Sequence, residues 1–140
     1  NTRAMLEHFQ PRGFDVFAGS ETFLLATLRG GGAGCISATA NVNPAAIGKL
    51  CRDWQEPGAD ARQAALDMVR AAFQKLPMIS ALKAAVAHFS VDPAWAAVRP
   101  PLVALSEEQR GQLLGSLGDL GFAMPGLGRE KADPHAQAIA

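Results

Sequence analysis

The first third of the chain alternates short apolar runs with segments of helical spacing. A helix is predicted over Thr2 to Phe9, where apolar residues recur at helical intervals. FDVFAG (Phe14–Gly19) and GCISA (Gly34–Ala38) are short runs typical of buried strands. A helix-like segment follows each run, the first with an N-cap candidate at Ser20. Two βα units in succession predict parallel strands.

The rest of the chain has a helical pattern. Apolar residues keep helical spacing from Ala59 onward, with a break at Pro77. A further helical window runs from Ser106 to Leu120 and opens with SEEQ, a capping-box pattern. Two parallel strands with one helix each leave raw sheet edges, so the chain is predicted to be part of a larger α/β fold.

Composition narrows the class of protein. The 140 residues are 49% hydrophobic and 19% charged, which is typical of a packed globular chain. Lysine plus arginine equals aspartate plus glutamate, 13 against 13, so neither nucleic acid nor an anionic membrane is an expected partner. No apolar stretch approaches the roughly 18 residues of a membrane span. Cys35 and Cys51 lack CxxC spacing, which favours free thiols in a reducing compartment and a cytoplasmic location.

Candidate chemistry is concentrated at the ends of the two predicted strands. The glycines at 30–32 follow a helix and precede a strand, so they indicate a helix C-cap and not a phosphate cradle. Carboxyl ends of parallel strands line the ligand crevice of α/β folds. Gly19, Glu21 and the segment 36–41 are therefore candidates, with a purely structural role equally open for each. The histidines have no partner at ligand spacing, and no metal site is predicted.

Three motifs carry a family resemblance. The series G-S-E-T, GGAGCISATANVNP and RPPLVALSEEQ closely resembles the C-terminal half of the dihydrodipicolinate synthase and N-acetylneuraminate lyase family of class I aldolases. The resemblance runs from Asn1 to about Leu127. It implies an α/β fold: the last two βα units of a (β/α)₈ TIM barrel in residues 1–56 and a helical C-terminal extension in 57–128. The glycine, proline and small or charged residues from Gly126 onward predict a flexible tail in 129–140.

The resemblance also implies a chemistry. Family members hold pyruvate or another 2-oxo acid as a Schiff base on a lysine, and they need neither a metal nor an organic cofactor. That lysine ends the sixth strand and is expected upstream of Asn1, so no catalytic residue is assigned within the chain. Gly19 and Ile36 match substrate-binding positions, and Ser37 and Glu21 are further substrate-binding candidates. The expected partners are a 2-oxo acid plus an aldehyde in the full-length parent, which is expected to be a homo-oligomer.

Two alternatives stay open at this point. Sialic-acid lyases typically have two carboxylates after the glycine and a serine two residues beyond the isoleucine. Here those positions hold Ser20-Glu21-Thr22 and Ala38. A long polyhydroxy acid is therefore disfavoured, although Glu21 is compatible with a hydroxylated substrate. A different class is a non-enzymatic helical interaction module in which the two strands are incidental.

Overall fold

A computed structural model describes residues 1–127, and the tail predicted for 129–140 lies outside these residues. Helices dominate the described part, with one small sheet and short 3₁₀ turns between the elements. The α-helices are α1 (Thr2–Phe9), α2 (Leu24–Arg29), α3 (Pro44–Arg52), α4 (Ala59–Gln74), α5 (Met78–Phe89) and α6 (Glu107–Asp119), and the strands are β1 (Phe17–Ala18) and β2 (Gly34–Cys35).

The two strands pair in parallel, as the repeated βα pattern predicts. Phe17 lies opposite Gly34 and Ala18 lies opposite Cys35. Each strand is much shorter than the runs predicted at 14–19 and 34–38. Only one neighbouring strand is present within residues 1–127, so the ladder is limited to the positions where these two segments run side by side.

One face of this sheet packs on helices and the other is bare. Val16 and Ala18 are buried, whereas Phe17 between them is 48% exposed. This follows from the alternation of side chains along a strand. The described residues provide a helix layer on one face only, which is consistent with the prediction that the two βα units are part of a larger α/β fold.

Helix α4 belongs to two apolar cores. Its first half contributes Leu66 to a core with α2 and α3, which also contains Leu24 and Leu50. Its second half contributes Phe73, which is fully buried, to a core with α5 and α6. Helix α4 thus packs directly on α2 and α3.

Local capping signals predict two element starts correctly. Ser20 accepts a hydrogen bond from the backbone amide of Thr22 (3.2 Å) at the start of the 3₁₀ turn Glu21–Phe23. Ser106 and Gln109 form the complete capping box at the start of α6. Across residues 1–127, none of the helices combines the length and the apolar character needed to span a membrane.

Candidate functional site

The carboxyl ends of β1 and β2 lie side by side. The backbone amide of Ile36 donates to the carbonyl of Ala18 (2.8 Å), which brings Ile36 next to Gly19. The side chain of Ile36 is 74% exposed, on the same bare face as Phe17. A Cβ built on Gly19 would meet no atom within 4 Å among the described residues. Packing within residues 1–127 therefore does not account for the glycine at position 19 or for the apolar side chain at position 36.

Glu21 and Ser37 lie together on the opposite, helix-covered side. Glu21 is only 1% exposed, and Ser37 is also buried. The Ser37 hydroxyl donates to one carboxylate oxygen of Glu21, and the Thr39 hydroxyl donates to the other. The structure therefore brings these two predicted site residues into contact with each other, and it places Gly19 and Ile36 on the exposed face beside them.

Arg70, on α4, completes this buried cluster. Its Nη1 donates to the Glu21 carboxylate (2.8 Å) and to the Ser37 hydroxyl (3.2 Å). Sequence reasoning missed this residue, although a signal was present. Arg70 follows the buried Leu66 by four positions and precedes the buried Phe73 by three, so it lies on the buried stripe of its helix. A charged residue on such a stripe requires a partner.

The Glu21 carboxylate is held in its charged form. Burial alone would raise the pKa of Glu21, but hydrogen bonds from Ser37 and Thr39 and the charge of Arg70 outweigh it, so the pKa lies below the ordinary value. Both carboxylate oxygens accept hydrogen bonds from groups of the protein. The carboxylate therefore serves as a fixed buried anion and not as an acid that titrates near neutral pH.

The lysines of the described residues lie on helices or directly after one. Lys49 pairs with Asp53 one turn along α3 (2.8 Å), and Lys83 lies over the ring of Trp95, 5.7 Å from its centroid. Lys75 follows the end of α4 and is exposed. Over residues 1–127, no three His, Cys, Asp or Glu side chains cluster in a way that could hold a metal ion.

Comparison with known proteins finds relatives of this chain by sequence and by structure. An uncharacterised DapA-like lyase of Halobacterium salinarum is 36% identical over 110 residues, which is 75% of this chain and 35% of the relative. YagE, an E. coli K12 prophage protein of the dihydrodipicolinic acid synthase family crystallised with pyruvate, superposes with a TM-score of 0.77 at 26% identity. The aligned part is 87% of this chain and 43% of YagE.

A second solved structure agrees with these two. Dihydrodipicolinate synthase from Agrobacterium tumefaciens superposes with a TM-score of 0.71 at 29% identity, over 85% of this chain and 39% of that enzyme. The structural neighbours are TIM-barrel enzymes, and the mostly helical chain with its small sheet is consistent with part of such a barrel. The chain thus spans less than half the length of these relatives. The model of the dihydrodipicolinate synthetase family matches residues 2–118, and the chain belongs to that family.

Proposed function

We propose that this chain is the C-terminal part of a pyruvate-dependent Schiff-base aldolase or synthase. In this proposal β1 and β2 are the seventh and eighth strands of a (β/α)₈ barrel, and α4 to α6 are its helical extension. The Schiff-base lysine comes from a segment upstream of Asn1. Membership of the dihydrodipicolinate synthetase family and the pyruvate bound in YagE both support this assignment.

The observation that carries the proposal is the bare face at the two strand ends. Gly19 and Ile36 are adjacent there, and both are free of packing within residues 1–127. An apolar side chain that is 74% exposed beside an unobstructed glycine suits a wall that another part of the barrel and a small substrate cover. We assign Gly19 to close approach of the 2-oxo acid and Ile36 to apolar contact with its methyl end.

The chemistry proposed for the full-length protein needs only side chains. The lysine amine adds to the 2-oxo carbon, and loss of water gives an iminium ion. That cation withdraws electrons from the adjacent methyl carbon, which can then lose a proton to form an enamine. The enamine carbon attacks the aldehyde carbonyl, and water finally releases the product and the free lysine. An apolar barrel interior lowers the pKa of a lysine, so the neutral amine is available near neutral pH.

The proposed substrate class is argued from the side chains at this wall. A small 2-oxo acid such as pyruvate suits Gly19 and Ile36, and Ala38 offers no hydroxyl to a long polyhydroxy chain. Glu21 and Ser37, proposed from the sequence as further substrate contacts, have their polar atoms engaged in the buried cluster. The aldehyde partner, the homo-oligomer and the cytoplasmic location stay predictions.

Exchange of the pyruvate methyl protons tests this proposal without knowledge of the aldehyde. The full-length protein, translated from the complete reading frame that contains this chain, is incubated with pyruvate in D₂O and followed by proton NMR. The enamine step predicts loss of the methyl signal at a rate proportional to enzyme. A non-enzymatic helical interaction module, the rival interpretation, predicts no exchange above the buffer rate, and that result would refute the Schiff-base mechanism.

A further inference from the structure

Helix α4 reaches the segment after β1 through two polar side chains. Gln63 and Arg70 are about two helical turns apart and therefore share one face. Gln63 Nε2 donates to the backbone carbonyl of Glu21 (2.9 Å), and Gln63 Oε1 accepts from the backbone amide of Leu25 (3.0 Å). Arg70 binds the Glu21 carboxylate itself (2.8 Å). One helix of the extension thus holds both the backbone and the side chain at this position.

The same carboxylate reaches the segment after β2. Ser37 and Thr39 lie at the start of the 3₁₀ turn that follows β2, and both hydroxyls donate to Glu21. The strand ends are therefore connected to α4, and to each other, through one buried anion. Arg70 is its only cationic partner within the described residues, with the side chains 14% and 2% exposed.

The orientation of Ile36 depends on this connection. Side chains alternate along an extended segment, so Ser37 on the helix-covered side places Ile36 on the bare face. If Ser37 lost the Glu21 acceptor, the amide of Ile36 would keep its bond to the Ala18 carbonyl, but the residue that follows Ile36 would be held less firmly on the helix-covered side. An unpaired carboxylate is costly to bury, so loss of Arg70 would move Glu21 toward water or protonate it. Either response weakens the contacts to Ser37 and Thr39.

We propose that Arg70 is a positioning residue for the reaction: through Glu21 and Ser37 it fixes the ends of both strands, and thereby the wall formed by Gly19 and Ile36. This inference rests on the proposed function, since it gives that wall its role in binding the 2-oxo acid. It also assigns Glu21 to the support of the site and not to contact with substrate.

The test compares Arg70→Met with Arg70→Lys in the full-length protein. Arg70→Met removes the cation. The Michaelis constant for pyruvate in the exchange assay is expected to rise about tenfold, because a small displacement of Gly19 and Ile36 would impair their contact with the substrate. Arg70→Lys keeps a cation that can replace Nη1, the single nitrogen that makes both contacts, and is expected to recover most of the loss. A smaller folded fraction would lower the apparent kcat alone, so the rise in KM separates positioning from general stability.

Arg29→Met is the matched control. Arg29 forms a two-point ion pair with Asp60 (2.8 and 2.7 Å) that also joins α4 to the βα units, but this pair is exposed. Within the described residues neither side chain hydrogen-bonds to the cluster of Glu21, Ser37 and Thr39. Removal of this pair is expected to leave the KM unchanged. A KM in Arg70→Met equal to that of the wild type would overturn the proposal, whatever happens to kcat.

Amide hydrogen exchange of the peptide 36–42 provides an arm independent of activity. Arg70→Met is expected to increase exchange in this peptide, and Arg29→Met is not. If the wild-type protein failed to exchange pyruvate protons, the proposed function would fall. Amide exchange in peptide 36–42 would still decide whether Arg70 orders the strand ends. Equal protection of this peptide in Arg70→Met and Arg29→Met would show that it does not.

Discussion

Replacement of Gly19 by alanine separates a binding role from a folding role. Gly19 is not among the described glycines with a positive φ, and its added Cβ meets no atom within 4 Å, so alanine fits the described residues. Stability should be unchanged or rise by up to about 1 kcal/mol, because alanine restricts the unfolded chain. In the full-length protein the methyl would intrude on pyruvate. Overpacking costs about 1–3 kcal/mol, which is about a 5- to 150-fold rise in KM.

Gly32→Ala serves as the control for Gly19→Ala, because at Gly32 an added Cβ has no free space. A Cβ there would lie 2.4 Å from Thr27 Cγ2 and 3.0 Å from the carbonyl oxygen of Val16. This variant should lose about 1–3 kcal/mol of stability. Urea unfolding gives the stabilities, and the proton-exchange assay gives the KM. The reasoning is refuted if Gly19→Ala is as destabilised as Gly32→Ala, or if it is stable and binds pyruvate normally.

Three further predictions concern stability. Phe73→Ala should lower the free energy of unfolding in urea by about 3–5 kcal/mol, because Phe73 is fully buried. Met68→Ala on the same helix should lower it far less, because Met68 is 53% exposed. Equal losses would contradict the description of the core. Glu21 has a lowered pKa in the folded state, so its contribution is present above its ordinary pKa of about 4.3 and is lost as the pH falls through the folded value. Glu21→Gln should therefore weaken the acid dependence of the thermal midpoint, and an unchanged pH profile would show that the carboxylate is not held by the cluster. Ser106→Ala removes one bond of the capping box and should cost about 1 kcal/mol, so an unshifted urea midpoint would count against that cap.

Local signals in the sequence predict most of the helices. The helix at Thr2–Phe9, the break at Pro77 and the cap at Ser106 each depend on residues within a few positions, and the structure confirms all three. The parallel pairing of the two strands follows from the βα repeat and is confirmed as well. The family is also predicted correctly, because its motifs are short and contiguous.

Long-range contacts could not be predicted in the same way. Arg70 meets Glu21 across 49 positions, and nothing near Glu21 in the sequence indicates that partner. The polar pattern of Ser37 and Glu21 is the same whether they face a substrate or each other, and only the packing of α4 decides. Strand length is a comparable case, since pairing depends on the neighbouring strand and not on the apolar run alone.

The central claim, that this chain is part of a Schiff-base aldolase whose lysine lies outside it, is tested most directly by borohydride trapping. The chain and the full-length protein are each treated with pyruvate and sodium borohydride, and the products are measured by intact mass and peptide mapping. The account predicts a reduced pyruvate adduct on the full-length protein, at a lysine upstream of Asn1, and none on the chain alone. No adduct on either protein would contradict the mechanism, and an adduct on Lys49, Lys75 or Lys83 of the chain would contradict the location of the lysine.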